Sequence, residues 1–315
     1  MKNKKILLLW YQQEDNFGDM LIYKTTREYL ERMGYDAESH EIGDSEVKIS
    51  QHANKCDFLL FAGGGIIERY VPRVIQNIEN LVRFLHVPYG VIGIGIGDFD
   101  YRENAEAIRF WVNCAEFFYV RDEETKNYLN ELYGGEKVKF SGDVVFANKQ
   151  IARNIHTGNG IGLNLRDIPY TDIQKDFDWI IIDRALNEVQ CNILIPDCND
   201  QTANLHYEFD NVKELGDYKM LVPNVKIDET ILAIQNCNII IAMRFHVVLV
   251  AALLGVIPVP ILYCPKVRYL AEQLGIMELA VELGKWEKIP EKVELAKRMR
   301  HKYIMDLTSN IVKLQ

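Results

Sequence analysis

The chain has 315 residues, which exceeds the usual size of one hydrophobic core and predicts two domains. Apolar residues make up 48% and charged residues 26%, a composition that excludes an intrinsically disordered protein. A formal net charge of −9 argues against nucleic acid as a partner, because binding to phosphate backbones depends on Lys and Arg.

The chain begins with a strand, a polar loop and a helix. Ile6 to Tyr11 is apolar and predicts the first strand, and a helix follows from about Asp19 to Met33. Gly34 suits a left-handed cap at the end of that helix. The loop contains Asn16-Phe17-Gly18-Asp19, in which Asp19 is placed to cap the helix. The functional alternative is that Asn16, Gly18 and Asp19 bind a ligand at the end of the strand.

The first half continues as alternating strands and helices. In chain order we predict a strand at Asp57–Ala62, a strand at Tyr89–Ile96, a helix at Asn104–Ala115, a strand at Phe117–Val120, and a helix capped by Asp122 that ends at Gly134. This alternation predicts a parallel sheet with helices on both faces.

Two groups of glycines follow strands in this half. Gly63, Gly64 and Gly65 leave backbone amides free to approach an anion or a hydroxyl group, although a tight strand-to-helix turn explains them equally well. The run from Gly93 to Gly97 lacks the last glycine of a GxGxxG dinucleotide motif, since Asp98 stands there. We therefore favour close packing over dinucleotide binding for this run.

A second alternation follows a polar connection at Asn148–Asn159. Its predicted strands are Gly160–Leu165, Trp179–Asp183, Asn192–Pro196, Ile239–Ala242 and Val256–Tyr263. The fold class is therefore α/β, with two doubly wound Rossmann-like domains at residues 1–150 and 151–290. Such sheets bind ligands at the carboxyl ends of their strands, so we expect one deep cleft between the domains.

Residues 291–315 predict a closing helix with a basic start and an apolar stripe of Tyr303, Ile304, Leu307 and Ile311. We expect it to pack back on the first domain. A peripheral contact of this helix with a membrane surface is the alternative.

The cysteines and the apolar segments predict a cytoplasmic protein. The six cysteines are scattered, without a CxxC pair or a metal-ligand cluster, which predicts buried thiols in a reducing compartment and no metal site. The apolar run Ile6 to Trp10 is too short for a signal peptide. The stretch Asn238 to Tyr263 carries Arg244 and His246, so a buried strand-helix-strand unit is favoured over a membrane span.

The strongest candidate site is Arg244-Phe245-His246, where a predicted strand ends and an apolar helix begins. A guanidinium and an imidazole in an apolar context are costly to bury without an anionic partner, although a structural salt bridge remains the alternative. Arg166 and Lys266 follow two other strands of the same sheet. Three cations at three strand ends predict a ligand that carries phosphate or carboxylate groups.

Seven short motifs follow one another along nearly the whole chain. They are Asn16-Phe17-Gly18-Asp19, Phe61-Ala62-Gly63-Gly64-Gly65, Val120-Arg121-Asp122, Ser141-Gly142-Asp143, Arg244-Phe245-His246, Gly255-Val256-Ile257-Pro258 and Tyr263-Cys264-Pro265-Lys266. In this order they resemble the polysaccharide pyruvyl transferase family. The resemblance implies a fold similar to that of GT-B glycosyltransferases, with phosphoenolpyruvate as co-substrate and no other cofactor. The segment Pro196 to His206 departs from the family pattern.

The resemblance also implies roles for individual residues. In the family the Arg-x-His triplet contacts the donor, which here gives Arg244, Phe245 and His246, with Arg166 carried over from a looser match. Pyruvate then passes to two hydroxyl groups of a sugar or lipid-linked oligosaccharide and forms a cyclic ketal. Asn16 and Asp19 would orient that acceptor. His246 is our candidate general acid, and a purely orienting role is the alternative.

Two other functions fit the same architecture. One is a nucleotide-sugar-dependent glycosyltransferase or epimerase, which the fold alone does not exclude. The other is a non-catalytic sugar- or anion-binding protein. The expected location is the cytoplasm, with a peripheral position at the inner face of the membrane left open by the C-terminal helix.

Overall fold

A computed structural model provides the structure of the protein. It describes residues 4–10, 16–42, 44–67, 72–96, 104–148, 150–151, 158–165, 176–195, 219–220 and 226–314. The chain divides into two compact units. The first comprises Met1–Glu14 with Asp19–Asn148, and the second comprises Asp15–Gly18 with Lys149–Gln315. The expected first domain, residues 1–150, thus differs in that the short segment 15–18 clusters with the second unit.

The first unit is built on a six-stranded sheet. Its strands in chain order are β1 (Lys5–Trp10), β2 (Asp36–Glu41), β3 (Phe58–Ile67), β4 (Tyr89–Ile96), β5 (Phe117–Val120) and β6 (Val138–Phe140). Its helices are α1 (Phe17–Arg32), which belongs to this unit from Asp19 onward, α2 (Glu46–Ala53), α3 (Pro72–Arg83), α4 (Ala105–Cys114) and α5 (Glu123–Tyr133), followed by a 3-10 helix at Val144–Ala147.

The strand order across this sheet is β2-β1-β3-β4-β5-β6, and neighbouring strands are parallel. The winding direction reverses between β1 and β3, so the carboxyl ends of these two strands form the topological switch point at which such sheets bind ligands. An aromatic cluster helps to hold the sheet against α4. The ring of Trp111 meets those of Phe61 and Phe118 edge-on, with centroid distances of 5.3 and 5.0 Å.

The second unit is built on another six-stranded sheet. Its strands are β7 (Gly160–Asn164), β8 (Ile193–Leu194), β9 (Lys219–Met220), β10 (Cys237–Ala242), β11 (Ile257–Leu262) and β12 (Val281–Glu282). Its helices are α6 (Trp179–Glu188), α7 (Ile227–Gln235), α8 (Phe245–Leu253), α9 (Pro265–Leu274), α10 (Ile289–Arg298) and α11 (Arg300–Leu314), with 3-10 turns at Met277–Leu279 and Trp286–Lys288.

This sheet has the order β12-β11-β10-β7-β8-β9, again with parallel pairing. Its switch point lies between β7 and β10. Strand β10 and helix α8 that follows it form the most apolar part of the unit, because residues 247–253 of α8 are all buried. A helix that is apolar on every side is stable only inside a core.

Several sequence predictions are confirmed at the level of residues. Strands β4 and β5 have the predicted bounds. Gly34 and Gly134 adopt left-handed φ angles of +83° and +80° at the ends of α1 and α5. The side chain of Asp122 caps α5, because its Oδ1 accepts a hydrogen bond of 2.7 Å from the Thr125 N–H.

Two element predictions are wrong. Strand β3 does not end at Ala62 but continues through the glycine triplet to Ile67, with an irregular register against β4 after Gly64. The predicted strand Trp179–Asp183 is the start of helix α6. Asp178 caps this helix, since its Oδ1 accepts hydrogen bonds of 3.1 and 3.2 Å from two successive backbone N–H groups. A short apolar run fits either structure, and here the cap decides for the helix.

The predicted closing helix consists of two helices, α10 and α11, which meet at Met299. Tyr303, Leu307 and Ile311 of the apolar stripe are buried. Helix α11 packs on α8, α9, α10 and β11, all in the second unit. Its expected packing on the first domain stays a prediction. Within the described ranges, no helix is long and apolar enough to cross a membrane.

The prediction that the cysteines are buried holds only in part. Cys56 and Cys237 are buried, Cys191 and Cys264 are partly exposed, and Cys114 is exposed. Cys114 is the last residue of α4, on the side of the helix that faces away from the core.

Candidate functional site

The carboxyl edge of the second sheet is organised by one buried side chain, that of Asn164 at the end of β7. Its Oδ1 accepts a hydrogen bond of 3.1 Å from the backbone N–H of Arg244, and its Nδ2 donates one of 2.9 Å to the carbonyl of Ile195. The carbonyl of Asn164 also accepts a 2.9 Å bond from the N–H of Met243. Asn164 therefore ties together the chain that leaves β7, β8 and β10.

Asn164 was not singled out from the sequence. The sequence signal that could have identified it is an amide residue at the end of the apolar strand Gly160–Asn164. The side chain is 0% exposed, and a buried amide is stable only when its polar atoms are hydrogen-bonded.

Arg244 and His246 lie where β10 passes into α8. Arg244 is the residue before the helix, with an extended backbone at φ −80° and ψ 132°, and its side chain is half-buried. Phe245 is buried, and its ring meets the imidazole of His246 edge-on at 5.1 Å and 75°. The Nε2 atom of His246 is shielded from solvent. The apolar remainder of α8 anchors this turn in the core.

Lys266 lies on the neighbouring strand exit. It follows Pro265 in the first turn of α9, directly after β11, which pairs with β10. Its side chain is half-buried. The structure thus brings Arg244, His246 and Lys266 to one edge of one sheet. Arg166 and the segment Pro196–His206 lie outside the described residues, so the place of Arg166 at this edge stays a prediction.

The segment Asn16–Gly18 belongs to the same unit as these residues. The prediction that Asp19 caps α1 is wrong. The capping residue is Asn16, because its Oδ1 accepts a hydrogen bond of 2.9 Å from the Gly18 N–H. A Cβ atom built on Gly18 would overlap Nδ1 of His246 and lie 2.7 Å from its Cγ. The imidazole therefore rests directly on the backbone of Gly18.

The switch point of the first unit combines Asp19 with the glycine triplet. Gly63 and Gly64 have positive φ angles of +41° and +90° and are buried, whereas Gly65 is partly exposed. A Cβ on Gly63 would lie 2.7 Å from Cγ2 of Ile22, and one on Gly64 would lie 3.5 Å from Oδ1 of Asp19. These glycines allow the first two turns of α1 to approach the end of β3. The predicted tight strand-to-helix turn is wrong at this place, because β3 continues to Ile67.

The end of β5 carries a buried cation, Arg121 of the motif Val120-Arg121-Asp122. Arg121 is 3% exposed, and its Nε lies 3.5 Å from Oδ2 of Asp122. A Cβ on Gly95 would lie 2.5 Å from Nη2 of this guanidinium, and one on Gly93 would lie 2.6 Å from Cγ1 of Val144. Close packing of the glycine run in β4 is thereby confirmed for these two positions.

Comparison with solved structures shows the fold. A Methanocaldococcus jannaschii UDP-GlcNAc 2-epimerase in complex with UDP-GlcNAc and UDP aligns over 92% of both chains, with a TM-score of 0.64 and 14% identity. A Rickettsia africae glycosyltransferase aligns over 100% of this chain and 96% of its own, with a TM-score of 0.62 and 10% identity. Anabaena HepE in complex with UDP-glucose aligns over 99% of this chain and 94% of its own, with a TM-score of 0.60 and 13% identity. The chain has a two-domain α/β fold of the GT-B type.

Comparison of sequences shows the family. No curated protein sequence matches the chain. The model of the family described as polysaccharide pyruvyl transferase matches residues 16–265, which is most of the chain and includes Asn164 and Arg244-Phe245-His246. The chain therefore belongs to the polysaccharide pyruvyl transferase family and is a transferase of GT-B-type fold.

Proposed function

We propose that the protein transfers pyruvate from phosphoenolpyruvate to two hydroxyl groups of a sugar and forms a cyclic ketal in a cell-surface polysaccharide. The observation that carries this proposal is the position of Arg244-Phe245-His246 at the carboxyl end of β10, beside the switch point of the second sheet, in a chain of this family. Such switch points are where doubly wound sheets bind their ligands.

The donor is held by cations. Arg244 and Lys266 follow adjacent strands, β10 and β11, and both side chains are half-buried, which strengthens their attraction for an anion. A guanidinium binds a carboxylate or a phosphate through two parallel hydrogen bonds, so charge and orientation are set together. Arg166, which follows β7, completes this set in our proposal.

The reaction needs a group that donates a proton to the methylene carbon of phosphoenolpyruvate. Protonation of the methylene carbon of phosphoenolpyruvate makes the adjacent carbon electrophilic, and one sugar hydroxyl adds to it. The bond from that carbon to the phosphate oxygen then breaks, and the second hydroxyl closes the ring. Two hydroxyl protons are released, one replaces the proton given to the methylene group, and the other leaves with phosphate. His246 is the proposed general acid, since imidazole exchanges protons near neutral pH.

The acceptor is a sugar or a lipid-linked oligosaccharide in our proposal. Asp19 lies against the bulged end of β3, where Gly64 has no side chain and Gly65 is partly exposed. A carboxylate and unencumbered backbone groups can hydrogen-bond sugar hydroxyls. A lipid-linked acceptor would bring the protein to the inner face of the membrane from the cytoplasm.

The test combines purified protein, phosphoenolpyruvate and a panel of lipid-linked sugars. We expect phosphate release that depends on one of the sugars, together with a product whose mass equals that sugar plus pyruvate less water. Phosphate release without a ketal, or no reaction with any sugar of the panel, would contradict the proposal.

The two rival functions predict different results in binding assays. A nucleotide-sugar enzyme would be stabilised against heat by UDP-sugars and not by phosphoenolpyruvate. A non-catalytic binding protein would be stabilised by its ligand but would release no phosphate. The structural neighbours do not favour the first rival, because their identity of 14% or less shows the fold alone.

A further inference from the structure

We propose that Gly18 is the positioning residue of His246, and that the segment Asn16–Gly18 serves to fix where the imidazole lies. The catalytic part of this inference rests on the proposed function of His246. The structural part stands by itself, because it concerns only the position of the imidazole ring.

The contact leaves no room for any side chain at Gly18. A Cβ atom there would overlap Nδ1 of His246 and would lie 2.7 Å from Cγ and 2.9 Å from Cε1. Three atoms of one ring are thus within reach of the missing methyl group. The imidazole occupies the volume that every other amino acid would fill at this position.

Backbone conformation does not explain the glycine. Gly18 lies in the first turn of α1, and its φ angle is not in the left-handed region, unlike those of Gly63 and Gly64. In a helix, alanine is favoured over glycine by up to about 1 kcal/mol. Local structure alone would therefore select alanine here, and the contact with His246 is the reason that glycine is required.

The neighbours of Gly18 hold its backbone in place. Asn16 accepts a hydrogen bond of 2.9 Å from the Gly18 N–H, and Phe17 is fully buried. The imidazole also meets the ring of Phe245, with centroids 5.1 Å apart. The ring of His246 is therefore held by a rigid backbone segment and by an aromatic ring, which restricts its orientation as a general acid requires.

A double-mutant cycle tests the contact without any substrate. Gly18→Ala should lower the thermal midpoint by several degrees in the wild-type background, since a loss of about 1 kcal/mol shifts the midpoint of a domain of roughly 150 to 250 residues by about 2 to 4 °C. In the His246→Ala background the same change should leave the midpoint unchanged or raise it, because the obstructing ring is gone. Equal losses in both backgrounds would overturn the proposal.

A spectroscopic measurement follows the imidazole directly. The chain has seven histidines, so selective ¹⁵N labelling of histidine gives few ring resonances, and His246→Ala identifies that of His246. Gly18→Ala should shift this resonance. Gly135→Ala is the matched control, since its Cβ would meet only the ring of Tyr133, at 3.1 Å. An unshifted His246 resonance in Gly18→Ala would contradict the proposal.

The remaining outcomes separate this inference from the proposed function. If the Gly18→Ala variant does not fold but the double variant Gly18→Ala/His246→Ala does, the positioning role is supported. If neither the single nor the double variant folds, the positioning role is overturned. In the enzymatic assay we expect Gly18→Ala to lower kcat about 100-fold, the scale of a displacement of about 1 Å, with little change in the KM for phosphoenolpyruvate. Coupling between the two residues without any pyruvyl transfer would refute the proposed function and leave the positioning role intact.

Discussion

The backbone N–H of Arg244 donates a hydrogen bond of 3.1 Å to the side-chain oxygen of Asn164, which lies 80 residues earlier in the chain. The side-chain Nδ2 of Asn164 in turn donates a hydrogen bond of 2.9 Å to the carbonyl of Ile195. One buried side chain therefore sets the path of the turn on which the proposed donor site is built. Its removal should affect stability and donor binding together.

Asn164→Ala should destabilise the protein by about 2 to 4 kcal/mol, because it leaves the N–H of Arg244 and the carbonyl of Ile195 buried without partners. We also expect a higher KM for phosphoenolpyruvate, since the turn that carries Arg244 loses its support. Urea unfolding and steady-state kinetics measure the two effects. Asn187→Ala, at an exposed amide on α6, is the control and should change stability by less than about 0.5 kcal/mol. Equal stability of the two variants would refute this account of Asn164.

Arg244→Lys should raise the KM for phosphoenolpyruvate at least about tenfold, because an ammonium group cannot form two parallel hydrogen bonds to the donor. Arg268→Lys is the matched control. Arg268 binds Glu282 at the surface, with Nη2 at 2.7 and 2.8 Å from the two carboxylate oxygens. An unchanged KM in Arg244→Lys would exclude a bidentate contact.

His246→Gln should lower kcat by about 100- to 10,000-fold, the usual contribution of a general acid, while phosphoenolpyruvate still stabilises the protein against heat. Glutamine keeps a polar side chain but cannot donate a proton to carbon. His301→Gln, at an exposed position of α11, serves as the control. Loss of donor binding with unchanged kcat would instead assign His246 an orienting role.

Gly63→Ala should be more destabilising than Gly34→Ala. Both residues have positive φ angles, +41° and +83°, which cost a residue with a Cβ about 1 to 2 kcal/mol. Nothing lies within 4 Å of a Cβ at Gly34, whereas one at Gly63 would lie 2.7 Å from Cγ2 of Ile22. Overpacking adds about 1 to 3 kcal/mol at Gly63. Urea unfolding of both variants measures the difference, and equal losses would show that the glycine serves the backbone angle alone.

Tyr303 should make stability depend on pH in the alkaline range. Burial, together with the hydrogen bond of 2.9 Å that its hydroxyl donates to Glu278, raises the pKa of Tyr303 from 10.0 to about 12. The folded state thus holds this proton more tightly than the unfolded state. The stability that the neutral phenol contributes is complete below pH 10 and is lost as the pH rises toward 12.

Tyr303→Phe tests this dependence. The difference in unfolding free energy between the wild type and this variant should shrink between about pH 10 and 12, when measured by urea unfolding at several pH values. Tyr29→Phe is the control, because 48% of Tyr29 is exposed and its removal should leave the pH dependence of the wild type. A constant difference across the range would contradict the assignment.

Cys237 should be unreactive in the folded protein. Burial raises the pKa of its thiol to about 12, and the side chain is 0% exposed, so little thiolate is present or accessible at pH 8. Cys114 is exposed. With a thiol reagent and mass spectrometry of the peptides, we expect Cys114 to be labelled at once and Cys237 only after unfolding in urea. Labelling of both at similar rates in the native protein would refute the burial of Cys237.

Sequence patterns predicted the elements whose signals are local. Strands β4 and β5 are apolar runs of ordinary strand length, and Asp122 stands where a helix cap is expected. The edge strand β2 was missed, because its residues Asp36–Glu41 are polar and only partly buried, which leaves no apolar alternation to detect. For helix α6 the sequence predicts a strand instead, since the four apolar residues at its start fit both periods.

The candidate site was predicted in the same way, as far as it consists of residues at strand ends. Arg244, His246 and Lys266 follow strands that the sequence identifies, and parallel strands bring their carboxyl ends to one edge. Asn164 was missed, because its importance comes from two hydrogen bonds to residues far along the chain. The cap of α1 was assigned to Asp19, since both Asn and Asp suit that position and only the geometry distinguishes them.

The amino-acid sequence by itself determined the α/β class, the tandem sheets and the family, because alternating apolar runs and ordered motifs are properties of the chain as written. Tertiary structure alone decided why Gly18 is a glycine and why Asn164 is an amide. Each residue contacts a partner more than 75 residues away along the chain. Gly18 contacts the imidazole of His246, and Asn164 binds the backbone N–H of Arg244. Such contacts form only when the sheet has folded, so no local pattern records them.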